Sequence, residues 1–176
     1  MKILQWTLAL IGALALIAVA VGYFLPSRFE VRRSIEISAP PDRVYDLVAD
    51  PRHWVKWSVW LQRDPKMDVS YSGPPFGQGA KWAWKSKSEG RGNMEFVRVE
   101  PNRRIDYALM FADFGMKSTG EFTFEPAGKG TRATWTNRGD VGGNPLKHYL
   151  AAMMDRMVGP DYEKGLASLK QIAEKP

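Results

Sequence analysis

Residues 104–138 read RIDYALMFADFGMKSTGEFTFEPAGKGTRATWTNR. The stretch contains three runs in which apolar or aromatic residues alternate with polar ones, as half-buried β-strands do. Turn-forming residues separate the runs, at Asp113-Phe114-Gly115 and again from Pro126 to Gly130. Because these connections are short, we predict that successive strands pair antiparallel and share one aromatic-rich face.

The same alternation extends toward the N-terminus. Runs at 67–71, 80–86, 93–100 and 28–38 raise the predicted number of strands to seven. Two runs break the two-residue period, near Arg33-Ser34 and at Phe96-Val97, and we expect a local irregularity or bulge at each place. After the first strand, prolines in a first turn and an apolar face from Val44 to Val48 predict a helix, and a second short helix follows over 52–56.

The C-terminal segment is helical by its periodicity. Apolar side chains recur at the 3.6-residue period at Leu146, Tyr149, Leu150, Met153, Met154 and Met157. Gly159-Pro160 interrupts the period, so one long helix with a break and two stacked helices both fit. We predict an α+β helix-grip fold: a seven-stranded antiparallel sheet curled around a long C-terminal helix, with two short helices after the first strand.

The N-terminal segment is apolar enough to span a membrane. No charged residue occurs from Ile3 to Leu25, which provides the roughly 20 residues that a transmembrane helix needs. Ala18-Val19-Ala20 fits a signal-peptidase site, but the apolar run continues past it to Tyr23 and Phe24, which suit a membrane interface. We predict an uncleaved single-pass anchor in residues 1–27, in the membrane through residues 3–25, followed by a helix-grip domain in 28–176.

The flanking charges give conflicting indications of orientation. Lys2 and the amino terminus favour a cytoplasmic N-terminus, whereas Arg28, Arg32 and Arg33 favour a cytoplasmic domain. Because a leader-like N-terminus usually directs the export of the domain behind it, we expect the soluble domain to lie outside the cytoplasm.

The composition argues against several classes of function. The chain has 176 residues, a net charge of +6 and no cysteine, so disulfides and thiolate chemistry are absent. Lys and Arg are scattered rather than clustered among exposed aromatics, and we predict no nucleic-acid partner. With two distant histidines, no Gly-rich phosphate loop and no Gly-x-Ser-x-Gly motif, we predict no metal site and no cofactor.

The two ends of the soluble part resemble a known superfamily. IEISAP at 35–40, VYDLVADP at 44–51 and WVKWSVW at 54–60 look like the opening of SRPBCC domains. That superfamily includes START lipid-transfer domains, birch-pollen-allergen-like proteins and polyketide cyclases or dehydrases. YEKGLASLK at 162–170 is similar to the end of the bacterial, polyketide-cyclase-like branch, whose members often carry a hydrophobic leader. The resemblance covers residues 28–175 and implies a helix-grip fold around a cavity, without a shared set of catalytic residues.

Aromatic and Met side chains are the candidates for lining such a cavity. They are Trp57, Trp60, Trp82, Trp84, Phe96, Tyr107, Phe111, Phe122, Trp135, Met153 and Met157. An ordinary packed core explains each of them equally well. Taken together, Trp residues near loops and flexible Met side chains on the helix suit a pocket that adapts to lipophilic ligands. Tyr107, Asn137 and the Trp ring nitrogens are predicted to supply orienting hydrogen bonds.

Residues suited to proton transfer have simpler interpretations. Asp106 and Glu121 fall on the polar face of their strands, and Asp155 lies off the Met stripe, so all three are expected to be solvated. We expect His53 to make a structural hydrogen bond and His148 to face solvent or a cavity rim.

Three functions remain open from the sequence. The first is membrane-tethered binding or transport of a small hydrophobic ligand such as a lipid, isoprenoid or polyketide. The second, implied by the resemblance, is a polyketide cyclase/dehydrase-like enzyme, which needs a buried carboxyl, Tyr or His in the pocket. The third is a non-catalytic interaction domain, which a closed and filled core would favour. The pattern favours the first and leaves the oligomeric state open.

Overall fold

Seven strands form one antiparallel sheet in the computed structural model, which describes residues 2–175. Met1 and Pro176, the outermost residues of the predicted anchor and domain, lie outside this range. The elements in chain order are α1 (Lys2–Phe24), β1 (Arg28–Ile37), α2 (Pro41–Ala49), a 3₁₀ helix (Pro51–Lys56), α3 (Val59–Arg63), β2 (Asp68–Ser72), β3 (Lys81–Lys85), β4 (Arg91–Glu100), β5 (Arg104–Phe111), β6 (Met116–Ala127), β7 (Gly130–Asp140) and α4 (Pro145–Ala173). The predicted α+β helix-grip fold is confirmed.

The strands follow one another across the sheet as a meander. Their order is β1-β7-β6-β5-β4-β3-β2, so β1 pairs with the last strand rather than with its neighbour in sequence. In β4 the register shifts between Phe96 and Arg98, which confirms the bulge predicted at Phe96-Val97. The shift keeps Phe96 in the core while Val97 is exposed.

The irregularity predicted near Arg33-Ser34 in β1 is wrong. β1 pairs with β7 in one unbroken register along its whole length. Arg33 keeps an inward-facing position because α4 neutralises its guanidinium: Nε donates to Glu163 at 2.6 Å and Nη1 donates to Asp155 at 2.7 Å. Gly159 lies against the guanidinium, where a side chain would overlap it. The polar residue therefore interrupts the apolar pattern without interrupting the strand.

Three short helical segments follow β1, one more than predicted. Asp50 separates the first two, since its Oδ1 accepts a hydrogen bond from the Arg52 amide at 2.8 Å and so caps the 3₁₀ helix. Trp54 Nε1 donates to Val48 O and Trp57 Nε1 donates to Leu47 O, both at 2.9 Å. These bonds satisfy carbonyls that the end of α2 leaves without a helical partner. The additional segment is α3, five residues long.

The C-terminal segment is one unbroken helix, α4, which continues through Pro160. The alternative of two stacked helices is therefore wrong. Asn144 caps its start by accepting from the Leu146 amide at 3.0 Å. Near its end, Glu174 accepts from the Ser38 amide at 2.6 Å. Because Arg33 contacts the middle of α4 and Ser38 contacts its end, the helix runs parallel to β1, and this packing holds it together where Pro160 lacks an N–H.

The N-terminal helix α1 projects from the domain. Most of its side chains are exposed, and it is long and apolar enough to cross a membrane. Its C-terminal turns contact α4, where Gly22 is buried against Pro145. Tyr149 donates its hydroxyl to Ala18 O at 2.8 Å. The helix is therefore joined to the domain by packing as well as by the chain.

Candidate ligand-binding site

Aromatic side chains fill the space between the inner face of the sheet and α4. Trp135 lies at their centre: its ring stacks on Tyr162 of α4, with centroids 3.9 Å apart, and on Phe122 of β6 at 4.7 Å. Trp57 approaches the same ring edge-on at 5.5 Å, an arrangement that the charge distribution of aromatic rings favours. This aromatic cluster consists of Trp54, Trp57, Trp60, Trp82, Phe96, Tyr107, Phe122, Trp135 and Tyr162.

Polar atoms inside the cluster are linked around one tyrosine hydroxyl. Tyr107 Oη accepts from Trp135 Nε1 at 2.8 Å and from Asn137 Nδ2 at 3.5 Å. Burial raises the pKa of Tyr107, and it raises the pKa of Tyr162 well above its ordinary value, with the neighbouring Tyr107 as a further cause. Both phenols are therefore neutral at physiological pH and able to donate hydrogen bonds.

Two buried polar atoms have no hydrogen-bond partner within residues 2–175: Ser58 Oγ and Trp82 Nε1. Trp82 lies toward β2, at the side of the cluster away from α4, with its ring 5.4 Å from Trp54 and 5.6 Å from Trp84. Trp84 and Phe111 are half-buried and meet edge-on at 5.6 Å. From Trp82 toward Trp84 and Phe111 the rings become more accessible to solvent. The unpaired N–H of Trp82 therefore lies where the buried part of the cluster meets its accessible edge.

The structure brings together seven of the eleven predicted cavity residues. Trp57, Trp60, Trp82, Phe96, Tyr107, Phe122 and Trp135 belong to the aromatic cluster. Trp84 and Phe111 lie at its more accessible edge. Met153 and Met157 do not line the interior; they are exposed on the outer side of α4. Their role was assigned from helical periodicity, but α4 carries two apolar stripes, and the buried one runs through Ala151, Met154, Tyr162, Leu166 and Leu169.

Two members of the cluster were not among the predicted cavity residues. Trp54 contacts five other rings of the cluster, and Tyr162 stacks on Trp135. The signal for Trp54 was its spacing: Trp54, Trp57 and Trp60 are three residues apart, and all three rings reach the aromatic cluster although only Trp54 lies within the 3₁₀ helix.

The cluster is packed in this conformation. Two depressions in the surface lie elsewhere: one of about 840 Å³ on the outer face of the sheet, at Ala108, Met110 and Thr119, and one of about 570 Å³ beside Asn102 and Phe124. Because the Trp135 ring centroid lies only 3.9 Å from that of Tyr162 and 4.7 Å from that of Phe122, a ligand that enters between the sheet and α4 must displace aromatic rings.

A family model described as polyketide cyclase / dehydrase and lipid transport matches residues 28–174. The chain belongs to this family. The SRPBCC resemblance is thereby confirmed, and the helix-grip domain is of a class that binds hydrophobic molecules. No curated protein matches the sequence.

Solved structures similar to this one support the fold. Protein CV1439 from Chromobacterium violaceum superposes with a TM-score of 0.63 at 19% identity, covering 84% of this chain and 99% of its own. CalU16 from Micromonospora echinospora superposes with a TM-score of 0.56 at 19% identity, covering 84% of this chain and 85% of its own. The Aha1 dimer from Colwellia psychrerythraea superposes with a TM-score of 0.59 at 16% identity, covering 82% of this chain and 96% of its own. At these identities the similarity concerns the fold alone.

The titratable residues of this family member lie mainly in surface ion pairs. Within residues 2–175 no carboxylate is among the buried polar side chains. Asp106 and Glu121 face outward and pair with Arg104, as their strand positions predicted. In the same part of the chain no three His, Asp or Glu side chains are placed to hold a metal ion.

The two histidines differ from each other in environment. His53 Nδ1 lies 3.1 Å from Asp46 O, which confirms a structural hydrogen bond. The prediction that His148 faces solvent or a cavity rim is wrong, because its ring is buried between α1 and α4. Its Nδ1 lies 2.8 Å from Gly22 O and its Nε2 lies 2.9 Å from Gly142 O. Sequence reasoning did not consider α1 as a packing partner of the domain.

Proposed function

We propose that this chain binds a small hydrophobic ligand, such as a lipid, isoprenoid or polyketide-like molecule, at the more accessible edge of the aromatic cluster beside Trp82, and that α1 tethers it to a membrane. In this proposal residues 1–27 form the anchor and residues 28–176 form the binding domain. Family membership supplies the ligand class, and the aromatic cluster supplies an apolar site within the domain.

The unpaired N–H of Trp82 is the observation that carries the proposal. A buried donor without an acceptor costs roughly 1–3 kcal/mol of stability. A carbonyl, hydroxyl or ester oxygen of a ligand would accept from this nitrogen and remove that cost. The apolar remainder of the ligand would lie against the rings of Trp84 and Phe111, which are already partly accessible.

The tether rests on the length and surroundings of α1. Its 23 residues extend about 35 Å, which is enough to cross the hydrocarbon core of a bilayer. A signal sequence passes the same test, but cleavage after Ala20 would remove the Ala18 carbonyl that Tyr149 binds. The contact of Ala18 with α4 therefore favours a helix that stays attached.

Mass spectrometry of solvent extracts tests the binding function. The full chain, purified in detergent from its own membrane, should yield a hydrophobic species that a mock purification lacks. Trp82→Phe removes the unpaired N–H and should lower the amount recovered several-fold, whereas Trp6→Phe, on the exposed face of α1, should leave it unchanged. A chain with no bound species that also takes up no fluorescent lipid would contradict the proposal. That result would favour an interaction domain, which the packed interior also suits.

A second candidate is catalysis on a carbonyl-containing substrate. The observation that favours it is the buried pair of neutral phenols, Tyr107 and Tyr162, because such donors stabilise an enolate oxygen. Conversion of the extracted species by the wild-type chain, and its loss in Tyr162→Phe with binding retained, would support this function. Binding without conversion would exclude it for that ligand.

We also propose that the domain lies outside the cytoplasm. The chain has no cysteine, so a single Lys129→Cys variant in the exposed β6–β7 turn reports orientation directly. A membrane-impermeant maleimide added to intact cells should label this variant. Labelling only after cell lysis would place the domain in the cytoplasm instead.

A further inference from the structure

A second apolar stripe runs along the outer side of α4. Leu146, Leu150, Met153 and Met157 are 56%, 36%, 53% and 54% exposed. Their spacing of four, three and four residues places them on one face of the helix, within the first half of its length. Beyond them the same face carries Lys164 and Gln171, both exposed, so the stripe ends at Met157.

The stripe begins where α4 meets the C-terminal turns of α1. Gly22 packs against Pro145 so closely that a side chain at position 22 would overlap the Pro145 carbonyl. One turn later, Tyr149 donates to Ala18 O, which lies closer to the middle of α1. The first turn of α4 therefore lies alongside α1, which places the start of the stripe next to the exposed apolar helix.

Basic residues border the stripe. Lys147 and Arg156 lie on opposite sides of it, both are exposed, and neither forms an ion pair with another residue of the described chain. An apolar face with basic edges is the pattern of helices that lie in a membrane interface, where Lys and Arg meet anionic headgroups.

We propose that residues 145–157 of α4 lie in the interface of the bilayer that α1 crosses, with the stripe in contact with lipid. The proposal rests on the membrane tether of the proposed function, because it identifies the occupant of the stripe from its continuity with α1. A second copy of the chain fits less well. Symmetric pairing of the stripe would bring the two sets of basic edges together, whereas anionic lipid neutralises them.

Single-cysteine variants of the full chain, labelled with an environment-sensitive fluorophore, test this proposal. The chain has no native cysteine, so each label occupies one position. The variants are Met153→Cys and Met157→Cys in the stripe, Leu14→Cys in α1, and Gln171→Cys as the control. Gln171 lies eighteen residues after Met153, which is five helical turns, so it is exposed on the same face beyond the stripe.

The labelled chains are reconstituted in vesicles of phosphatidylcholine and phosphatidylglycerol that contain lipids with a nitroxide quencher in the acyl chain. We expect quenching at positions 153 and 157 at least about half as strong as at position 14, and none at position 171. Replacing phosphatidylglycerol with phosphatidylcholine should reduce the quenching at 153 and leave that at 14 unchanged.

The other outcomes overturn the proposal in distinguishable ways. Quenching at 14 without quenching at 153 and 157 leaves the tether intact and removes the interfacial helix. The absence of quenching at all four positions contradicts both the membrane tether and the interfacial helix. Equal quenching at positions 153 and 171 means that the stripe contacts lipid no more than the rest of α4 does. If two chains of unlabelled Met153→Cys form a disulfide, and the label at position 157 is not quenched, the stripe contacts a second copy of the chain instead of lipid.

Discussion

Gly120 of β6 lies directly opposite Tyr107 of β5, and the tyrosine ring covers it. A methyl group at this position would overlap the ring and the hydroxyl around which the polar atoms of the cluster gather. We predict that Gly120→Ala lowers the free energy of unfolding by about 1–3 kcal/mol, because a packed core cannot absorb the added volume. Urea denaturation followed by tryptophan fluorescence measures this.

The matched control for that substitution is Gly143→Ala in the loop before α4. A Cβ at position 143 would meet no atom within 4 Å, and the backbone there has no positive φ. Its effect should stay within about 0.5 kcal/mol. Equal effects of the two substitutions would show that Tyr107 does not occupy the space over Gly120.

Asp155 gives a pH dependence to the contact between α4 and β1. The hydrogen bonds from Arg33 lower the pKa of Asp155 below its ordinary value of 3.8. Its contribution to stability is therefore complete above that value and disappears as the pH falls through the lowered one. Because the carboxylate is half exposed, solvent screening keeps the contribution below about 1 kcal/mol.

Asp155→Asn should accordingly lower the free energy of unfolding at neutral pH by a small amount. In strong acid, where Asp155 of the wild type is protonated, the free energies of unfolding of the two proteins should become more nearly equal. Denaturation curves at a series of pH values measure this, with Asp68→Asn on β2 as the control, since Asp68 is exposed and outside the ion pairs of the described chain. A difference that stays constant across the acid range would contradict the role assigned to Arg33.

At the scale of elements, alternation of side chains was sufficient to predict the sheet. Phe122 and Phe124 face inward because their neighbours Glu121 and Thr123 are polar, and no tertiary information is needed to infer this. The bulge at Phe96-Val97 was visible for the same reason, as a break in that period.

Helix α4 shows why other features could not be predicted. Met153 and Met154 are adjacent in sequence, and both fit an apolar stripe at the helical period. Only packing decides that Met154 is buried while Met153 is exposed. The same holds for Arg33, whose inward position depends on two carboxylates more than one hundred residues away.

The contact between α1 and α4 depends on the absence of a side chain at Gly22. We predict that Gly22→Leu separates the two helices, because the new side chain would overlap the Pro145 carbonyl. The first turn of α4 would then loosen, and trypsin should cleave after Lys147 several times faster in the detergent-solubilised protein. Gly12→Leu in the same helix, where a Cβ meets no atom within 4 Å, should leave the rate unchanged. Unchanged cleavage in both variants would show that Gly22 is not needed for the contact.

At the scale of the whole molecule, retention of α1 determines whether the chain is a tethered protein or a released one. We predict that the mature protein keeps residues 1–20, because the α1 turns around the possible cleavage site are packed against the domain. Intact mass measurement of the protein extracted from membranes checks this. Ala20→Leu, which removes the small residue required for cleavage, should give a chain of the same length. A wild-type chain shorter than this variant would identify α1 as a signal peptide.

Only Leu25, Pro26 and Ser27 separate α1 from β1, and the Val141 amide binds Ser27 O at 2.9 Å. Three residues span about 10 Å at most, so the domain has little freedom to swing relative to α1. If α1 crosses a membrane as proposed, a binding site held in this way would keep a fixed height and a fixed orientation relative to the bilayer surface. Such a site would exchange molecules readily with its own leaflet, but it would not reach a second membrane unless the two membranes came into close apposition.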